Sequence, residues 1–204
     1  MIIISSYFLI KDILEYQKIN KSNIKLIKQV ITEENKKEKT EINWQKLEEI
    51  NKDIVGWIKI ENTNINYPIL KDDLNLKYLK HSFDGTYNTN GAIFTLNENP
   101  FEDYETIIHG HNMKNGIMFS ELSQYMEKEF LNEHSTFDIY TKNQNYKATI
   151  LSCYSTTVNA EENNIKPSDF KEKIVRLSTC SYLNNTTTPT DQRYYIIAKL
   201  EKVD

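Results

Sequence analysis

Apolar residues change their spacing along this chain at about residue 43. Before it, Ile24, Leu26, Ile27, Val30 and Ile31 recur three and four positions apart, the period of one helix face. That spacing predicts a helix from Lys11 to about Val30. Residues 33–41 are almost all charged or polar and read as a solvated linker or a fraying helix end. Asn43 stands where an N-cap belongs, ahead of a short helix with Trp44, Leu47 and Ile50 on one face. Beyond it the apolar runs become short and rich in β-branched and aromatic residues. They predict strands at 55–60, 65–70, 91–96, 106–109, 136–141, 146–154, 174–180 and 193–200. Leu76, Tyr78 and Leu79 suggest a helical turn. Met118, Leu122, Tyr125 and Met126 place the clearest internal helix at 117–130. Short strands between Asn- and Thr-rich turns predict a mainly β fold, a barrel or sandwich with a few helices.

Composition narrows what such a fold could do. Of 204 residues, 39% are hydrophobic and 11% aromatic, enough for a real core rather than a disordered tail. Lys and Arg number 25 against 29 Asp and Glu, so the net charge of −4 offers no basic face, and no nucleic acid partner is expected. The five glycines form neither GxGxxG nor GxxxxGK, which excludes those two phosphate-cradling loops. Residues 1–10 are apolar and end at Lys11-Asp12. Ten residues fall short of the roughly 20 that span a bilayer core, and the segment lacks a basic start and a small-residue cleavage site. It is either a helix start packing on the domain or the end of a membrane anchor.

Two cysteines and four histidines are scarce enough to weigh singly. Cys180 closes an apolar strand and faces a polar turn, where a reactive group is both held and reachable. On its own it is equally a small core hydrophobe, or half of a disulfide with Cys153. His109 and His111 follow the apolar strand at 106–108, and a histidine beside a thiol supplies the base and acid that a cysteine nucleophile needs. The rival reading is a metal site, since His109 and His111 lie on one face of an extended chain. No CxxC or HxxxH pair and no neighbouring carboxylate at ligand spacing supports it. His81 and His134 sit in polar surroundings and are expected to be solvated. Arg193 opens the last apolar strand thirteen positions after Cys180, and a guanidinium near the thiol could stabilise an oxyanion; alone, it is equally a rim arginine.

Taken together, these segments resemble the sortases, class B in particular. Leu177-Ser-Thr-Cys180 matches the signature T-L-x-T-C except that Arg176 replaces the leading Thr. Gly110-His-Asn-Met113 matches Y-G-H-N-M, with His109 in the tyrosine position, and Arg193 matches the downstream arginine. In place of F-M-D-x-R-N the chain has Phe94-Thr-Leu-Asn-Glu-Asn99, and the stretch from Cys153 to Leu177 is short, leaving only 167–173 for a helix, capped by Ser168. The resemblance implies a closed eight-stranded β-barrel over residues 43–204, a helical and charged stalk over 11–42, and an anchor ending at 1–10. It implies a cell-surface cysteine transpeptidase of Gram-positive bacteria without a cofactor or metal. His111 would be the acid and base, Cys180 the nucleophile and Arg193 the oxyanion or substrate clamp. Asn75, Leu79, His109, Ser178 and Thr179 would line the peptide groove. The implied partners are proteins bearing a sorting motif, a cell-wall amine as acceptor, and the membrane through the N-terminus. A cysteine peptidase acting on the same motif and a non-enzymatic surface-binding module are the alternatives.

Overall fold

In the computed structural model the described residues are 2–33, 40–158, 171–180 and 191–203. They divide into two compact units, Met1–Glu49 and Ile50–Asp204. The first unit carries α1 (Ile2–Val30), which begins nine residues earlier than the periodicity suggests. Its C-terminal end leads into a small antiparallel pair, β1 (Ile31–Glu33) and β2 (Thr40–Ile42), in a stretch read from sequence as linker. The β-branched Ile31, Thr32, Thr40 and Ile42 at its paired positions favour the extended chain over a continued helix. Asn43 caps α2 (Trp44–Ile50) as expected: its Oδ1 accepts the Lys46 N–H at 3.0 Å. No helix among the described residues is long and apolar enough to cross a membrane.

The second unit is a closed barrel of eight strands, each one expected from the sequence. They are β3 (Ile54–Lys59), β4 (Asn66–Lys71), β5 (Ile93–Thr95), β6 (Glu105–His109), β7 (Thr136–Tyr140), β8 (Asn145–Thr157), β9 (Ile174–Cys180) and β10 (Gln192–Val203). Around the barrel the order is β10-β8-β7-β3-β4-β5-β6-β9, and β9 pairs with β10 to close it. Closure removes the exposed edges that a flat sheet of such apolar strands would present. Two pairings, β4 with β5 and β6 with β9, are parallel. Trp57, Ile58, Ile69, Leu70, Ile108, Leu177 and Ile196 are fully or almost fully buried in the core.

The helix expected at 117–130 is two pieces. A 3₁₀ segment, Ser120–Met126, is followed by α3 (Lys128–Glu133), with Glu127 extended between them. Met118 adopts a left-handed φ of 56°, so no helix can begin there. Its burial, with that of Ile117 and Phe119, holds the chain in this conformation. The helix proposed at 167–173 and its cap Ser168 fall largely outside the described residues.

Candidate active site

Three neighbouring strands deliver the candidate residues. Cys180 ends β9 and stands directly opposite Arg193 on β10. Directly opposed residues of an antiparallel pair share a face, with Cβ atoms about 4.5–5.5 Å apart. On the other side of β9, parallel pairing sets His109 beside Ser178, and Phe94 of β5 lies opposite His109. Between the ends of these strands is a cleft of about 190 Å³. Cys180, Arg193, His111, His109, Ser178 and Thr179 line one part of it; Leu76, Leu79, Phe94 and Leu96 supply an apolar part. Of the groove residues expected from sequence only Asn75 lies off the cleft. It is exposed, and its Oδ1 accepts the Lys77 N–H at 2.9 Å.

His111 is held from two directions. Its Nε2 lies 2.9 Å from the carbonyl oxygen of Leu79. A carbonyl can only accept, so Nε2 carries the hydrogen and the neutral ring keeps its lone pair on Nδ1. Leu79 closes a short 3₁₀ turn, Lys77–Leu79. The buried carboxylate of Asp72 fixes that turn, accepting the N–H groups of Asn75 at 3.2 Å and Tyr78 at 3.0 Å. Gly91 packs against the same turn with φ +61°, and a Cβ there would meet the Tyr78 carbonyl oxygen at 2.5 Å. Only glycine satisfies both conditions. On the other side, the Phe119 N–H donates to the His111 carbonyl at 2.9 Å. Gly110 admits the Phe119 ring, whose Cδ2 would lie 2.7 Å from an added Cβ.

His109, in the tyrosine position of the signature, has a different electrostatic character. Burial, and then the positive charge of Arg193, pushes its imidazole down to about 4, so it is neutral at pH 7. Its ring lies tilted on Phe94 with centroids 5.4 Å apart. An unfolded chain releases this proton near 6.5 and the folded protein near 4, so between those values only the unfolded state holds it. Stability from this group is complete above pH 6.5 and is lost as pH falls through 4. His109→Tyr should flatten that part of the curve, which urea midpoints for parent and variant between pH 7 and 4 would measure. Parallel curves would rule out His109 as the source.

The remaining scarce residues take structural places. Both cysteines are free thiols, so the Cys153–Cys180 disulfide considered above is not formed. Burial pushes the Cys153 thiol up to about 11. His134, expected in solvent, is buried: it stacks on Phe130 with centroids 4.0 Å apart, and its Nδ1 lies 2.9 Å from the Phe130 carbonyl oxygen. His81 is partly buried, with Nδ1 2.7 Å from the Lys77 carbonyl. Thr179 Oγ1 is buried without a hydrogen-bond partner. Among the described residues no three His, Cys, Asp or Glu side chains come close enough together to hold a metal ion. Sequence reasoning overlooked Leu76, Phe94 and Leu96 as cleft-lining groups. The period-2 spacing of Phe94 and Leu96 puts them on one face, but only barrel closure identifies which face meets the thiol.

A closed eight-stranded barrel with Cys, His and Arg at one cleft is the architecture of a cysteine transferase or hydrolase. A family model for the sortase domain matches residues 58–201. Sortase B of Listeria monocytogenes is 44% identical over 113 residues, 54% of this chain and 46% of that protein. Sortase B of Staphylococcus aureus is 31% identical over 189 residues, 78% of this chain and 75% of that protein. A solved Staphylococcus aureus sortase B–substrate complex superposes with a TM-score of 0.66 at 29% identity, over 78% of this chain and 85% of that one. The chain belongs to the sortases, a family of cysteine transpeptidases, and it is of class B. The match to the Listeria relative spans about half of that protein's length.

Proposed function

We propose that this protein cleaves a C-terminal sorting motif of the N-P-x-T-(G/N/S) kind after Thr and joins the new carboxyl end to a cell-wall amine. The observation that carries this reading is the register of Cys180 opposite Arg193, with His111 lining the same cleft. The Cys180 thiolate attacks the Thr carbonyl, and the guanidinium of Arg193 stabilises the tetrahedral oxyanion. His111, as imidazolium, gives its Nδ1 proton to the departing amine, so the peptide tail leaves and a thioester remains on Cys180. The acceptor amine then attacks the thioester. Neutral His111 takes up the amine proton at Nδ1, and Cys180 leaves as thiolate. One amide replaces another, so no external energy source or cofactor is required. Neutral His109 beside Arg193 adds no second cation that would compete for the oxyanion.

A location on the extracellular face of the cell membrane accompanies this reading, with residues 1–10 as the end of an anchor and residues 11–42 as the stalk to a catalytic domain over 43–204. Support comes from the apolar N-terminal run and from α1 continuing through Val30. The sorting-motif substrate is supported by the relative that has been solved as a substrate complex.

The test is a library of sorting-motif peptides incubated with and without triglycine and followed by mass spectrometry. The expected result is a peptide–triglycine product and a thioester adduct mapped to Cys180. Free acid dominating at saturating triglycine would make the protein a hydrolase, and a library left intact would remove the reading altogether.

A further inference from the structure

The parallel ladder between β6 and β9 ends in an unusual way. Its last backbone rung has the Gly110 N–H donating to the Ser178 carbonyl at 3.2 Å. Two residues further along each strand, the next acceptor is the carbonyl of Cys180 and the next donor position is residue 112. The donor there is the Asn112 side chain, whose Nδ2 lies 2.7 Å from the Cys180 oxygen. A parallel ladder steps by two residues on both strands, so the side-chain amide takes the place of the missing backbone rung. Using a side chain lets the backbone leave β9 by the length of that side chain while staying tied to it. The opening this creates lies at the strand ends where His111 and Cys180 meet the cleft.

The loop is equally fixed on its far side. Asn112 bridges to Met118 across the loop, and the Met118 N–H donates to the Tyr67 hydroxyl at 3.2 Å. The residue carrying the amide is therefore anchored, and the strand end bearing the thiol is what the amide holds. We infer that Asn112 is a positioning residue for the transfer reaction, setting the offset between Cys180 and His111 as one unit. Asn112 does not line the cleft, so it acts on the reacting groups through the Cys180 carbonyl and not on the peptide. The inference rests on the transfer chemistry proposed above.

Asn112→Asp keeps the size and removes the donor. It should lower kcat for sorting-peptide transfer about 10- to 100-fold, the scale expected of a misplacement of about 1 Å, with KM within about twofold and little change in melting temperature. A second readout needs no substrate: the iodoacetamide alkylation rate of Cys180, separated from Cys153 by peptide mapping. His111→Ala should change that rate strongly in the parent and much less in the Asn112→Asp background, because the two groups are no longer aligned. Additive effects, an unchanged kcat, or a loss confined to KM would each overturn the inference. Should the added carboxylate unfold the loop, Asn112→Leu carries the same outcomes without a charge. Failure of the parent to act on any sorting peptide would sink the proposed function, while the alkylation cycle would still decide the role of Asn112.

Discussion

Cys180→Ala is expected to reduce sorting-peptide cleavage by at least about 10⁴-fold, because it removes the thiol that forms the thioester in the proposed reaction. The melting temperature should barely move, since Cys180 is the last residue of β9 and only partly buried. Arg193→Ala is expected to cost about 10²- to 10³-fold in kcat, the range for losing one oxyanion donor. Arg193→Lys should recover part of that loss, because an ammonium restores the charge without the planar fork of donors. Arg193→Ala carries a second, independent signature. The guanidinium helps to hold the His109 imidazole down, so removing it should raise the pKa of His109 toward the ordinary histidine value. Histidine ring chemical shifts followed against pH would report this even in a variant too slow to assay. Persisting cleavage in Cys180→Ala would end the case for a thioester. An unmoved His109 in Arg193→Ala would show that burial alone accounts for its neutrality.

Much of this site can be read in the sequence because its parts lie at strand ends. The apolar runs before His109 and Cys180 and after Arg193 reveal strands by composition. A strand end next to a polar turn is where a reactive group is both rigid and accessible. The barrel itself is legible for the same reason: each of its eight strands is a short β-branched or aromatic run. Pairing partners are legible only in part: the thirteen positions from Cys180 to Arg193 suit two neighbouring strands, but no such spacing ties β9 to β6. Nothing local to residues 176–180 states that β9 lies between β6 and β10, yet that placement brings Cys180, His109 and Arg193 together. The late start of the helix expected at 117–130 was hidden too, because burial of Met118 with a left-handed φ overrides an apolar spacing of three and four. His134 failed as a solvated residue for a similar reason. Its neighbours in sequence are polar, and the ring that covers it, Phe130, lies one turn back along α3.

The position where Arg176 replaces the signature threonine predicts the largest effect on stability. Arg176 is 4% exposed, and its Nε donates to Glu105 Oε1 at 2.6 Å. A second contact, from Nη2 to the same oxygen, makes the pair an ion pair as well as a hydrogen bond. Glu105 begins β6 opposite Ile174, so its partner is two residues along β9 on the same face. A threonine could not reach it. Arg176→Met would leave the Glu105 carboxylate largely buried without this cation, a change that costs about 3–5 kcal/mol when a buried pair is broken. For a chain of this size that corresponds to a fall in melting temperature of about 6–20 °C. Arg176→Met combined with Glu105→Leu removes both charges, and replacing a buried pair by apolar side chains is often neutral or stabilising. The double variant should therefore melt close to the parent and far above either single variant. Neither residue lines the cleft, so transfer activity measured below the melting transition should be retained in all three. A double variant no better than Arg176→Met would mean that the arginine supports the barrel by packing its aliphatic stem rather than by neutralising Glu105.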